Sequence, residues 1–426
     1  MSEKIKLTEA ISIGIGGMVG GGIFAVLGLA VTLSKGGTPL AFLLAGILAL
    51  ITSYSYVKLS KKYPDRGGTV KFINQGFGKT LFSGGINNLL WISYIIMLSL
   101  YASAFGSYAP NLLALTGGEL DFHIYASAII VLASIINYYS IKVVGMIESY
   151  AVVIKLVILI AFIGIGLYGL IGNPNLEQLS PENWEAPLQL LTGGMVIFVA
   201  YEGFELIANS APDIKNPEKN IPRAYYISII FVVLLYIIIA VVTVGSLSFD
   251  TIKTAEDYVL AEAAKPMLGQ TGFTIITIAA LISTFSAINA SLYGGSRVSY
   301  EIAEDDELPH QFTYQLWNQP IGLLITGILT LTLTNTLELE SISTAGSVGF
   351  LLIFAMVNFV GFKLYEEIKC IRIIPMLGFI FCIIATIVLL QQQFSANRMG
   401  VIVAVSIIGS CFLIEYIYKW VEGSKK

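Results

Sequence analysis

Apolar positions run through this chain in long, nearly unbroken stretches separated by short polar connections. A helix needs about 20 apolar residues to cross the hydrocarbon of a bilayer. Twelve stretches read as such crossings: Glu9–Leu33, Pro39–Leu59, Leu81–Leu113, Phe122–Tyr138, Glu148–Ile171, Gln189–Asn209, Arg223–Val244, Thr271–Tyr300, Pro320–Thr336, Ser341–Phe362, Ile373–Gln392 and Met399–Tyr418. The third and eighth exceed one crossing, so they read as tilted or as extending beyond the bilayer. The pattern predicts an all-α membrane protein with 12 transmembrane helices.

Composition agrees. Of 426 residues, 56% are hydrophobic and 12% charged, where soluble proteins carry about 45–50% and 25%. A mean hydropathy of +0.79 excludes a soluble enzyme on a single anchor. The formal net charge of −4, without a basic run, speaks against nucleic-acid partners. Forty-one glycines suit helices that pack closely in lipid. Cys370, Cys382 and Cys411 sit singly, and His123 and His310 lie near segment ends. No metal or cofactor site is expected from them. Neither HExxH nor GxSxG occurs, so no enzyme chemistry is expected. The first stretch lacks an A-x-A cleavage site and reads as a retained span.

Lysine and arginine set the orientation. Of 24 such residues, Lys35, Lys253, Lys265 and Arg398 fall on one side, Lys155 lies inside a span, and the other 19 share the opposite side with both termini. The positive-inside rule makes that side cytoplasmic and the protein a multi-pass component of the cell membrane.

Two spans do not read as plain helices. The first holds Gly16-Gly17-Met18-Val19-Gly20-Gly21-Gly22, five glycines in seven positions at mid-membrane. Glycine costs about 1 kcal/mol in a helix interior, and unwound backbone at this depth survives only where it lines a cavity or is buried in protein. Gly16-x-x-x-Gly20 and Gly17-x-x-x-Gly21 also fit tight packing of small residues. The sixth span places Glu202, Gly203 and Glu205 at a comparable depth. Interrupted helices five spans apart point to a transporter built from two inverted halves.

These residues resemble signatures of the amino acid–polyamine–organocation transporter superfamily. Gly16 to Phe24 resembles "GxxIGxGIF", and Ser296 to Pro309 resembles "SRxxYxxAxDxxLP". Tyr63 to Gly68, Tyr201 to Glu205 and Asn216 to Arg223 agree in order and position. The resemblance covers the whole chain. It implies a LeuT-type 5+5 inverted repeat plus two helices, with helices 1 and 6 broken. The repeats would be residues 1–171 and 189–362, followed by the last two helices (373–418) and a cytoplasmic tail (419–426). Lys155 makes the chain similar to ApcT-type, proton-coupled amino acid permeases, whose lysine amine stands where sodium-coupled relatives hold sodium.

A lysine within a span costs about 2.5–3.5 kcal/mol on insertion scales, so it needs a partner or must shed its charge. Protonated, it has three donors and no acceptor, suited to the carbonyl of Gly16 and the hydroxyls of Ser283 or Ser286. Losing its proton would release that grip. Snorkelling toward the inner headgroups is the other reading. An amino acid substrate brings a carboxylate and an ammonium. The free N–H groups of Gly21 and Gly22, opening the outer half of the span, suit the carboxylate. The carbonyls of Met18, Val19, Val199 and Ala200 suit the ammonium, and the resemblance implies the same contacts.

Three positions depart from the family pattern. Val199 is small where a covering aromatic is common, leaving Phe198 or Tyr201 as substitutes, and Gly21 lacks the usual hydroxyl. Glu202 stands where many relatives are apolar, and reads either as a specificity residue or as a structural pairing with the backbone. Glu205 belongs to the coupling network by resemblance. Trp91, Tyr94 and Tyr101 are pocket walls or packing. The expected activity is proton-coupled amino acid symport by alternating access, with an amine, polyamine or amino acid exchanger as the alternative. A channel would show symmetric pore-lining rings, which two unequal breaks do not provide. Oligomeric state is open.

Overall fold

A computed structural model describes residues 4–139, 141–171, 174–316 and 319–423. The side chains of Lys142, Glu148 and Ser149, and the tail residues Lys425 and Lys426, lie outside the described residues. The first stretch forms two helices, α1 (Leu7–Met18) and α2 (Gly22–Ser34), bent by 44°. α3 (Thr38–Lys62) follows, then a short helix α4 (Thr69–Phe77) that hydrophobicity alone did not signal. α5 (Leu81–Tyr108), α6 (Leu120–Tyr139) and α7 (Ile141–Gly169) complete the first five crossings.

The sixth crossing is α8 (Pro187–Val196), a 3-10 run over Phe198–Glu205 and α9 (Leu206–Ser210), bent by 45°. Then come α10 (Pro217–Ser246), the short α11 (Phe249–Thr254) and α12 (Val259–Glu304). α12 begins well before the expected Thr271, because a preceding, largely buried helix joins it across a kink at Gly269 (φ 59°). α13 (Ile321–Thr336), α14 (Leu339–Lys363), α15 (Ile373–Ala396) and α16 (Arg398–Gly423) close the chain.

Among the described residues, nine helices are long and apolar enough to cross a membrane, and the two bent pairs bring this to eleven. The remaining expected crossing, α13, has 16 residues, about 24 Å of helix against a hydrocarbon core near 30 Å. The molecule is an all-α membrane protein; among the described residues one small sheet pairs Gln315–Leu316 with Gln319–Pro320. α5 is buried along most of its length and packs on α12, α13 and α14, whereas α6, α7, α15 and α16 turn most of their surface outward. The bent segments therefore lie inside a collar of helices.

Both breaks differ in detail from the expected ones. In the first span Gly14, Gly16 and Gly17 remain helical, and only Val19 to Gly21 leaves the helix. Gly17 stays because it is a contact surface: a Cβ there would lie 2.7 Å from Gly203 O. In the sixth span the bend falls at Ile197, not at Gly203, which sits within the 3-10 run. A tightened mid-helix segment of this kind often marks a hinge.

Candidate functional site

Breaking a helix at mid-membrane frees carbonyls that no water can satisfy, so each needs a partner. The carbonyl of Gly16 accepts from Lys155 Nζ at 3.1 Å. That of Met18 accepts from the Tyr236 hydroxyl at 2.6 Å. Val19 O accepts from Ser283 Oγ at 3.0 Å, and Gly20 O accepts from the same hydroxyl. The last turn of α1 and its exit are thus held by side chains from α7, α10 and α12.

Lys155 is 0% exposed and stands midway along α7, deeper than the two turns expected, because the helix starts at Ile141. This geometry sets snorkelling aside. Its hold on Gly16 O is the contact the sequence suggested. Ser283 is instead committed to Val19 and Gly20, and Ser286 is buried one turn further along α12.

In the sixth span α14 supplies the equivalent hooks. Ser343 Oγ and Ser347 Oγ donate to Val196 O at 2.8 and 2.7 Å, and Val199 N–H donates to Ser347 Oγ at 3.1 Å. Tyr236 Oη also reaches Ala200 O at 3.4 Å, so one hydroxyl joins both breaks. With one proton each, Tyr236 donates chiefly to Met18 O and only weakly to Ala200 O, and Ser283 divides its donation between Val19 O and Gly20 O. Each of these carbonyls has a second lone pair that remains free for another donor.

Gly21 and Gly22 begin α2, whose first helical bond runs from Ala25 N–H to Gly21 O. The N–H groups before it have no partner inside the helix. The Tyr101 ring lies over Gly21, where a Cβ would come within 2.1 Å of it. Gly22 faces Ala200, whose Cα would lie 3.0 Å from an added Cβ. Phe198 packs on Phe354, and Tyr201 donates to Phe42 O at 3.0 Å, so both proposed aromatic covers are engaged in the core.

The two acids have different surroundings. Glu205 is fully buried and accepts from Tyr94 Oη at 2.5 Å and Thr69 Oγ1 at 2.7 Å. Thr69 in turn accepts from Tyr56 Oη at 2.9 Å. Glu202 is buried beside Tyr101, its hydrogen-bonding neighbour, and its Oε2 has no partner among the described residues. An orphaned buried carboxylate oxygen is costly, and here it stands beside Tyr101 and the first break. Trp91 donates to Thr326 Oγ1 at 3.0 Å and is a packing residue. Tyr236, Ser347 and Thr69 carry no signal in the sequence, being ordinary polar residues whose contacts span long sequence separations.

A family model described as amino acid permease matches residues 5–414. The chain is 33% identical to an uncharacterized protein of Methanocaldococcus jannaschii, over 98% of this chain and 96% of that one. It is 32% identical to the inner membrane transport protein YbaT of Escherichia coli, over 97% and 95%. It is 28% identical to the serine/threonine exchanger SteT of Bacillus subtilis, over 72% and 70%. With two interrupted spans facing one another inside a membrane-spanning bundle and a family match over nearly its whole length, this chain belongs to the amino acid permease family.

Proposed function

We propose that this protein is a secondary transporter that carries an amino acid across the cytoplasmic membrane together with protons. The single observation that carries the reading is the bond from the buried Lys155 amine to Gly16 O, at the point where the first span breaks. A protonated amine holds that carbonyl, and a neutral one holds it far more weakly. Gaining or losing one proton thus alters the grip on the hinge of α1.

In this reading the substrate carboxylate lies on the N–H groups of Gly21 and Gly22 at the start of α2, where the helix dipole favours an anion. Its ammonium meets the second lone pairs of Met18, Val19 and Ala200 and the carbonyl of Val199. Glu202 borders this space and selects among side chains. Glu205, Ser283 and Ser286 belong to the coupling region. Residues 1–171 and 189–362 act as two inverted repeats that rock against each other, with 373–418 and the tail 419–426 appended. Both termini are cytoplasmic. A second reading, exchange of one amino acid or amine for another, is favoured by the unpartnered Glu202 oxygen, which suits a cationic group. It also draws support from the exchanger SteT among the relatives.

Proteoliposomes containing the purified protein discriminate the two. Labelled amino acid should accumulate when an inward proton gradient is imposed, with no unlabelled solute inside. Uptake that requires internal amino acid and ignores the gradient would favour exchange.

A further inference from the structure

Span six bends at Ile197 although nothing in its own residues marks the place. Val196-Ile197-Phe198-Val199 contains neither glycine nor proline, and Gly193 and Gly194 just before it stay helical. An apolar run of this kind should continue as a helix in a bilayer, because a continuous helix satisfies its own backbone there. The bend therefore needs partners from outside to take over the bonds it breaks.

α14 supplies them from one face. Ser343, Gly346 and Ser347 stand at the spacing that brings helix residues side by side. In an unbroken α-helix Val196 O would accept from Ala200 N–H, and Val199 N–H would donate to Met195 O. Here Ala200 N–H donates to Ile197 O at 3.0 Å. Val196 O accepts instead from Ser343 Oγ and Ser347 Oγ, and Val199 N–H donates to Ser347 Oγ. A carbonyl has two lone pairs, and a hydroxyl has one proton to give and two lone pairs. Val196 O is thus filled, and Ser347 both gives and receives across the bend. Both serines are fully buried.

Gly346 lets α14 come this close. A Cβ there would lie 3.2 Å from Val199 Cγ2 and 3.3 Å from Ile96 Cγ2. The two serines are not equivalent. Without Ser343, Val196 O keeps its bond from Ser347. Without Ser347, two of the three contacts go, and Val199 N–H loses the acceptor it has on α14. A buried donor left unsatisfied is the costlier loss.

We propose that Ser347 is the positioning residue of the second break: by bridging Val196 O and Val199 N–H it holds span six bent at Ile197, with Ser343 as a weaker second hold. Val199 and Ala200 follow the bend directly, so Ser347 also sets the geometry of the space between the two breaks. That consequence rests on the reading of these two residues as partners of the substrate ammonium. Ser347 itself does not touch the substrate and acts through the backbone it holds.

The test compares native full-length protein with Ser347→Ala, Ser347→Cys and Ser343→Ala. Cysteine keeps the size of serine but is a weak hydrogen-bonding group, so it guards against a simple packing defect. Amide hydrogen exchange in lipid nanodiscs, read on peptides covering residues 196–205, needs no substrate. Exchange there should be about tenfold faster in Ser347→Ala and Ser347→Cys, and at most a few-fold faster in Ser343→Ala. Counterflow is then measured in proteoliposomes, with whichever common amino acid the native protein takes up best. In Ser347→Ala the half-saturating concentration should rise about tenfold at a little-changed maximal rate, which marks lost binding geometry and not a damaged fold. Failure of the reading of the breaks would leave the exchange difference in place with half-saturation unchanged. Exchange equal in native protein and Ser347→Ala, or Ser347→Cys behaving as native, would overturn the proposal.

Discussion

Gly17 and Gly203 meet backbone to backbone: a Cβ on Gly203 would lie 2.2 Å from Gly17 C, and one on Gly17 would lie 2.7 Å from Gly203 O. The two interrupted spans touch at these positions because neither residue has a side chain. The glycine-rich run of the first span serves as a contact surface through Gly17 and as a break through the residues after Met18. Small-residue packing and helix interruption are thus successive parts of one segment.

Gly203→Ala should push the two spans apart. Overpacking of this kind costs about 1–3 kcal/mol, and the hinge geometry should be lost with it. Thermal unfolding in detergent should show a lowered midpoint, and transport should fall to background. Gly164→Ala, where an added Cβ meets nothing within 4 Å, should retain both. Equal behaviour of the two variants would remove the contact from the account.

The start of α2 should discriminate anions from neutral groups. Amino acid amides and esters cannot offer a carboxylate to the N–H groups of Gly21 and Gly22. They should compete more weakly than the free acids, by up to about thirtyfold, since an anion at a helix N-terminus gains up to about 2 kcal/mol. Gly22→Val, crowded against Ala200, should abolish competition while the protein stays monodisperse. An amide that binds as well as its acid would move the carboxylate elsewhere.

Glu202 should set specificity and leave coupling intact. Two like charges within ~4 Å repel by about 4 kcal/mol at an effective dielectric near 20, so aspartate and glutamate should be poor substrates of the native protein. In Glu202→Gln the ranking of cationic, neutral and anionic amino acids should shift toward the anionic ones, with proton dependence kept. An unchanged ranking would leave Glu202 a structural role beside Tyr101.

The end of α12 offers a stability test. Glu307, just beyond that helix, is fully buried and accepts from Ser83 at 2.9 Å and from Asn87 at 2.5 Å. Burial pushes its carboxyl above the ordinary carboxylate range, and these donors pull it back. Folding therefore opposes its ionisation, and this cost is present at high pH and lost as pH falls. Asn87→Ala removes a donor that the ionised form needs most. It should lower stability by about 1–3 kcal/mol, more at pH 8 than at pH 5. An equal loss at both pH values would show that Asn87 acts only by packing.

Much of this was legible in the sequence, for a physical reason. Crossing a bilayer demands unbroken apolar length, so all the expected spans match helices, and glycine density marked the first break. The contact of Lys155 with Gly16 followed from the demand for a partner inside the membrane. The bend at Ile197 was not legible, because Gly193 and Gly194 before it stay helical and the serines that stabilise it come from α14. Tyr236 was missed for the same reason: it reaches Met18 O from 218 residues away. Ser283 was expected at Lys155, but the freed carbonyls of Val19 and Gly20 claim it.

If Lys155 couples proton binding to the hinge at Gly16, gradient-driven uptake should depend on it, and Lys155→Ala is the decisive variant. Proteoliposomes carrying native and variant protein should be compared under an inward proton gradient, an inward sodium gradient and neither, with counterflow of preloaded amino acid as the check that the variant is folded and binds. Native protein should accumulate amino acid under the proton gradient and not under the sodium gradient. The variant should keep counterflow but lose proton-driven accumulation. Proton-driven accumulation that survives in Lys155→Ala, or sodium-driven and pH-insensitive uptake by the native protein, would contradict it.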